Sequence, residues 1–174
     1  MNDILKNGLP NIFFTTEEIK KLSPSASCDY AKQSNVNLDQ LQASFGLALH
    51  MHQPTIPAGG GDLQHAGLIS NLQHMLDNQG IGDNHNASVF IDCYGRMGNF
   101  IPDLVSRGKN PRIMLDYSGN LLWGIRQMGL DDTVEKLRRI ACDKRYIPYV
   151  EWLGTTWSHA VATSTPVPDL KLHI

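Results

Sequence analysis

From residue 44 the chain alternates. Ser44 to His52 puts Phe45, Leu47, Leu49 and Met51 on one side and Ser44, Gly46, Ala48, His50 and His52 on the other. A period of two predicts a strand. Its large apolar face is expected to pack on helices, and its small, polar face to look into a crowded barrel interior. The stretch QPTIPAGGGD (53–62) reads as a connecting loop. Asp62 is expected to cap a helix on which Leu68, Leu72, Met75 and Leu76 recur at helical spacing, with Gly80 as its stop. Residues 81–96 read as loop around a short apolar piece, SVFIDC. The spacing of Phe100, Ile101, Leu104 and Val105 predicts a helix from Met97 to Arg107, ended by Gly108. NPRIMLDYSG reads as breaker, five-residue strand and turn. Asn120 to Met128 and Asp131 to Cys142 read as two helices separated by Gly129, and Tyr149 to Leu153 as a third strand before the loop GTTWSHA.

Strands separated by helical crossovers must run parallel, because a short hairpin cannot join them. The expected class is therefore α/β. Residues 1–43 look different. Thr15 followed by Glu18 forms a capping box, Thr16 to Leu22 fits a short helix, and SPSASCDYAKQSNVN reads as a polar connector. No repeat of fixed period is visible.

Composition narrows the class. The chain has 174 residues, 41% apolar and 18% charged, which excludes a disordered tail and suffices for one domain. Fifteen basic against 17 acidic side chains give −2, with no electrostatic footprint for nucleic acid. No apolar run is long enough to span a bilayer, and the N-terminus lacks the pattern of a secretory signal. Cys28, Cys93 and Cys142 are odd in number and far apart, and fit neither a disulfide framework nor a metal knuckle. A cytoplasmic location is expected, without membrane partner or cofactor. Asn86-Ala-Ser88 fits the glycosylation pattern by chance, and Gly59-Gly60-Gly61 lacks the Lys-Ser/Thr of a phosphate loop.

In parallel α/β architectures functional groups collect past the carboxyl ends of strands. The first strand ends in His50, Met51, His52, Gln53 and Pro54, and the second in Asp116, Tyr117 and Ser118. The third carries Glu151 and runs on to Trp157 and His159. Strand period puts His50 and His52 on one face, Arg112, Met114 and Asp116 on another, and Tyr149, Glu151 and Leu153 on a third. If the His face is interior, Asp116 and Glu151 point to the same centre. Each alone reads as a satisfied polar group at a sheet edge; together they read as a site, since buried charges need partners or a task. Two chemistries fit. His50, His52 and Asp116 are a common zinc ligand set. Alternatively, imidazole, amide and carboxylate groups line a sugar cavity, with an aromatic face from Trp123, Trp152, Trp157, Tyr94 or Tyr117; Trp157, past a strand end, is the best platform.

The strand running into HMHQPTIP resembles the first signature of glycoside hydrolase family 57, a His-Gln-Pro matched by His52, Gln53 and Pro54 and preceded by His50. PRIMLDYSGNLLWGI resembles the family's second strand and its Ser-Gly-x-Leu-Leu helix start. YVEWLGTTWSHAVATSTPVPDLKLHI resembles its Gly-x-x-Glu strand and His-bearing loop, with Glu151 at the Glu position and Pro148 where the family usually has Gly. The resemblance runs over residues 44–174. It implies the N-terminal part of a (β/α)₇ TIM-like barrel, incomplete in this chain, acting on α-glucans by retaining hydrolysis or glycosyl transfer. Residues 1–43 would be an N-terminal extension.

Retaining chemistry needs two carboxyl groups facing each other across the glycosidic bond, about 5 Å apart. In the family these stand on later strands, and the only carboxylate side chain after Glu151 is Asp169, in unlike surroundings. The catalytic pair is therefore expected to be missing and this chain alone inactive. By resemblance His50, His52, Gln53, Asp116, Glu151, Trp157 and His159 become substrate-binding residues. Asp116 stands where relatives often have Asn; without a ligand role it would bond the turn at Ser118 and Gly119. Two alternatives stay open: a metal-dependent hydrolase or deacetylase-like barrel, and a non-catalytic glucan-binding module. An open sheet edge predicts self-association or the remainder of the barrel as partner.

Overall fold

The computed structural model describes residues 5–6, 9–10, 37–58, 62–154 and 156–173. The expected helix at 16–22, Cys28, most of the polar connector and Gly59–Gly61 lie outside them. The chain is a mixed α/β structure. Short strands β1 (Leu5–Lys6) and β2 (Leu9–Pro10) form an antiparallel pair. The main sheet has three parallel strands, β3 (Ala48–Met51), β6 (Ile113–Tyr117) and β7 (Val150–Trp152), in the order β3-β6-β7. All three are where the hydrophobic pattern predicts strands, and helical crossovers join them. The crossovers hold α1 (Asn71–Asp77), α2 (Ala87–Ser106), α3 (Gly119–Gln127) and α4 (Asp131–Cys142). A last helix, α5, spans Val167–His173.

Register fixes the two faces of the sheet. His50 lies beside Asp116 and Met51 beside Tyr117; Met114 lies beside Glu151 and Leu115 beside Trp152. One face therefore carries Leu49, Met51, Leu115, Tyr117 and Val150, and these join the helices in one core. From the helices come Leu72 and Met75 (α1), Tyr94 and Ile101 (α2), Leu121 and Ile125 (α3), and Leu137 and Ile140 (α4). The other face carries Ala48, His50, Met114, Asp116 and Glu151.

Three local expectations need correction. Phe45 and Leu47 do not pack on helices; they are 90% and 44% exposed. The ladder with β6 starts at Ala48 and Met114, so Phe45 and Leu47 lie before the paired strand. The region 53–70 is not loop plus helix start. Strands β4 (Thr55–Ala58) and β5 (Gly67–Ser70) form an antiparallel hairpin, and Leu68 lies in β5, 63% exposed. Ser70 caps α1 instead of Asp62, its Oγ accepting the Leu72 amide at 3.2 Å. Asp62 folds back on its own turn, accepting the Gln64 amide at 2.9 Å. The helix ends at Asp77, before Gly80, where Asn78 Nδ2 donates to the His74 carbonyl at 2.8 Å.

The third correction is the largest. Residues 87–96 are helical, so α2 runs 20 residues rather than starting at Met97. Gly95, inside this stretch, and Gly98, just beyond it, are what the packing requires. A Cβ on Gly98 would meet the Lys136 carbonyl oxygen and Cβ at 2.6 Å, so α2 and α4 touch at backbone distance there. Pro102, inside the same helix, has no N–H to offer the Gly98 carbonyl four residues back. The Arg139 guanidinium of α4 donates to that carbonyl instead. One helix thus repairs the bond that a proline removes from its neighbour. Gly108 and Gly129 end α2 and α3 with φ of 69° each, a conformation open to glycine. Helix α4 begins with Asp131 and Asp132 and carries Arg139 in its last turn, matching the helix dipole. Cys93 and Cys142 are free thiols. Among the described residues no helix is long and apolar enough to cross a membrane.

Candidate functional site

The carboxyl ends of β3 and β6 meet a loop that follows β7. Parallel pairing brings His50 level with Asp116, and His50 Nδ1 stands 2.6 Å from Asp116 Oδ2. An ionised carboxylate only accepts, so this bond keeps the His50 proton on Nδ1 and leaves Nε2 as an acceptor. The other carboxylate oxygen, Asp116 Oδ1, is buried and has no hydrogen-bond partner among the described residues. Asp116 does not bond the turn at Ser118 and Gly119, its alternative role from the sequence.

His52 Nδ1 lies 2.7 Å from Ser118 Oγ. Ser118 is the N-cap of α3 and its Oγ already accepts the Leu121 amide at 3.3 Å. The hydroxyl can donate to His52 Nδ1 or accept from it through its second lone pair, so the contact positions the ring for either tautomer. Burial holds the His52 imidazole below the ordinary histidine range; His159 and His50 lower it further, and Asp116 opposes them. The third imidazole, His159, meets both others edge-on. Its ring centroid is 4.4 Å from that of His50 and 4.9 Å from that of His52. The backbone of His159 is left-handed, with φ of 59°. A non-glycine residue holds that conformation only where its surroundings require it.

Trp157 is 45% exposed. Its ring rests on Gly119, where a Cβ would come within 2.2 Å of Cε3. Asn120 N donates to the Trp157 carbonyl at 2.9 Å, and Trp157 N to the His173 carbonyl at 2.8 Å. Ser158 Oγ lies 2.7 Å from His173 Nδ1. The loop is thus held from α3 on one side and α5 on the other.

Gln53 lies beneath this surface. It is 8% exposed, its Nε2 donates to the Tyr94 hydroxyl at 2.9 Å, and its Oε1 accepts from Asn71 Nδ2 at 3.1 Å. Tyr94 donates on to the His52 carbonyl at 3.3 Å, and Tyr117 donates to the Tyr94 carbonyl at 2.7 Å. Burial raises both phenols above their ordinary range. These tyrosines lock the strand end from below and offer no open face to a ligand. Glu151 shares the sheet face of Asp116 but pairs with Met114, one step back toward the strand start, and is exposed.

Five of the seven residues singled out from sequence, His50, His52, Asp116, Trp157 and His159, therefore gather at one end of the sheet. Ser118, Tyr94, Asn71 and His173 support them; in the sequence Ser118 reads only as a strand-end group and Tyr94 as a candidate aromatic face, and Asn71 and His173 do not stand out. For Ser118 the Ser-Gly-x-Leu-Leu helix start was a usable signal, since an N-cap after a strand must sit at the strand end. The zinc reading meets a geometric obstacle. The His50 and His52 rings are nearly parallel, 21° between planes and 6.2 Å between centroids, whereas ligand nitrogens must aim in their ring planes at one ion. Among the described residues no group of three or more His, Cys, Asp and Glu side chains is arranged to hold a metal. Comparison with protein-family models, curated proteins and solved structures finds no match.

Proposed function

We propose that the chain forms the glycone side of an α-glucan site in a glycoside hydrolase family 57-like (β/α)₇ barrel, working in the cytoplasm. The observation that carries this reading is the unpartnered Asp116 Oδ1, buried beside His50 and His52 at the strand ends. A buried carboxylate oxygen without a partner costs free energy that a hydroxyl donor would recover. Sugar hydroxyls both donate and accept, which suits a carboxylate oxygen next to the imidazole nitrogens His50 Nε2 and His52 Nε2. The exposed Trp157 ring offers a flat apolar face for a pyranose. Glu151 would orient a further hydroxyl, as the family resemblance implies.

The reading assigns binding, not turnover, to these side chains. Asp116 is committed to His50, and Glu151 lies one step back on the same face rather than across a bond from it. The nucleophile and the general acid would come from further strands of the barrel, beside β3 or β7. The remainder of the barrel would supply them.

Isothermal titration of the chain with maltooligosaccharides tests this. Binding without release of reducing sugar is expected, with Asp116→Asn weakening it about tenfold or more, the loss of one charged hydrogen bond. Absence of binding to linear α-glucans at millimolar concentration, or affinity unchanged in Asp116→Asn, overturns it.

A further inference from the structure

We propose that the His50–His52–His159 cluster is a proton-operated latch: with the rings neutral it holds the His159 side of the 156–160 loop against the strand ends, and protonation drives His159 away and loosens the loop around Trp157 between its anchors on α3 and α5. The inference stands apart from the glucan reading and needs no ligand. Three imidazoles lie within ring contact, the His159 edge against both others at 4.4 and 4.9 Å. Neutral rings attract one another in this edge-on arrangement. Two or three imidazolium rings at the same distances repel, although His50 and His159 are exposed and only His52 is partly shielded from water.

The charges facing the cluster decide how far repulsion goes. From β3 comes His50 and from just past its end His52; from β6 comes Asp116 and from the helix cap that follows the neutral Ser118. From β7 comes Glu151, one step back on the same face. From the loop comes His159 itself. Asp116 is in contact with one imidazole only, His50, and so offsets one positive charge directly. His173 of α5 sits behind the loop on Ser158, whose hydroxyl can accept from a protonated ring, so that anchor survives acid. His159 is the ring that moves. His50 is fixed by ladder pairing and its Nδ1 bond. His52, one residue past β3, is fixed by its Nδ1 bond and by the Tyr94 hydroxyl on its carbonyl. His159 instead sits in a loop and in a left-handed conformation that relaxes when its ring contacts fail. The lowered proton affinity of His52, partly caused by His159 and His50, is what such mutual repulsion produces.

Trp157 is the natural reporter. In the full chain carrying Trp123→Phe and Trp152→Phe, its emission and its quenching by acrylamide are followed from pH 8 to pH 5. A red shift and increased quenching are expected on acidification, with a midpoint in the histidine range and an unchanged far-ultraviolet circular dichroism spectrum. His159→Gln should abolish the transition, and His173→Gln should retain it. If the double variant folds poorly, imidazole carbon-bound proton resonances of the unmodified chain give the same reading: three histidine resonances should shift together with Trp157 indole signals. Emission that is flat over this range, a transition that survives in His159→Gln, or one that accompanies global loss of helix overturns the latch.

Discussion

The two faces of the central sheet are made by alternate residues of the same three strands, and they behave oppositely. On one face Leu115 is fully buried and Tyr117 and Val150 nearly so, under four helices. On the other, two register steps of the same strands present His50 beside Asp116 and Met114 beside Glu151, half-buried or exposed. The packed face makes the fold and the open face carries the chemistry. Since neighbours along a strand belong to different faces, a substitution at one position should damage one property and spare the other. That separation is what the predictions below test.

The largest effect is expected at Leu115. It is wholly buried at the centre of β6. Leu115→Ala removes three carbons and leaves a cavity that helices on one side and strands on both sides cannot close, at a cost of about 2–5 kcal/mol. Met114→Ala, one residue earlier on the open face, should cost clearly less. Urea denaturation of both variants checks this. Equal losses would mean that the open face is as tightly packed as the other.

A smaller effect is expected where the packed face depends on missing atoms. Gly98→Ala forces a Cβ onto the Lys136 backbone at 2.6 Å, and backbone cannot swing aside as a flexible side chain would. Separating α2 from α4 also strains the Arg139 bond to the Gly98 carbonyl. Overpacking of this kind typically costs about 1–3 kcal/mol. Gly80→Ala adds its Cβ to open space and should be close to neutral. Thermal melts of the pair measure the difference, and a near-neutral Gly98→Ala would show that the two helices have room to part.

The same contrast explains what could be read from the sequence. The packed face announces itself by period: Ile113 to Tyr117, Asp131 to Cys142 and the glycine stops at 108 and 129 all follow from local pattern. The ends of strands follow too, so His50, His52, Asp116, Trp157 and His159 could be named before their contacts were known. What failed depends on contacts between distant segments. Residues 87–96 look like loop until α4 lies against Gly95. Thr55 to Ala58 looks like loop until β5 pairs with it. Gln53 looks like a ligand-facing amide until Tyr94 and Asn71, 41 and 18 residues away, take up both ends of its side chain.

The smallest expected effect lies on the open face and concerns pH. The fold keeps His52 less protonated than it would be in the unfolded chain, first because it is partly buried and then because of His159 and His50. Above the unfolded imidazole value of about 6.5 neither state binds the proton, and His52 makes no difference to stability. As the pH falls below that value, the unfolded chain takes up a proton that the folded chain resists, so stability decreases. The decrease stops once the pH passes the lowered folded value, where both states are protonated. The site is largely solvated, so the slope should be shallow. Urea midpoints between pH 8 and pH 5 should fall on the acid side, and His52→Gln should flatten that fall. The test also sharpens the comparison: Leu115→Ala should lower the midpoint at every pH and leave the acid slope of His52 in place. If Leu115→Ala removes the slope as well, the two faces are not independent, and the open cluster exists only as long as the packed face holds its strands in register.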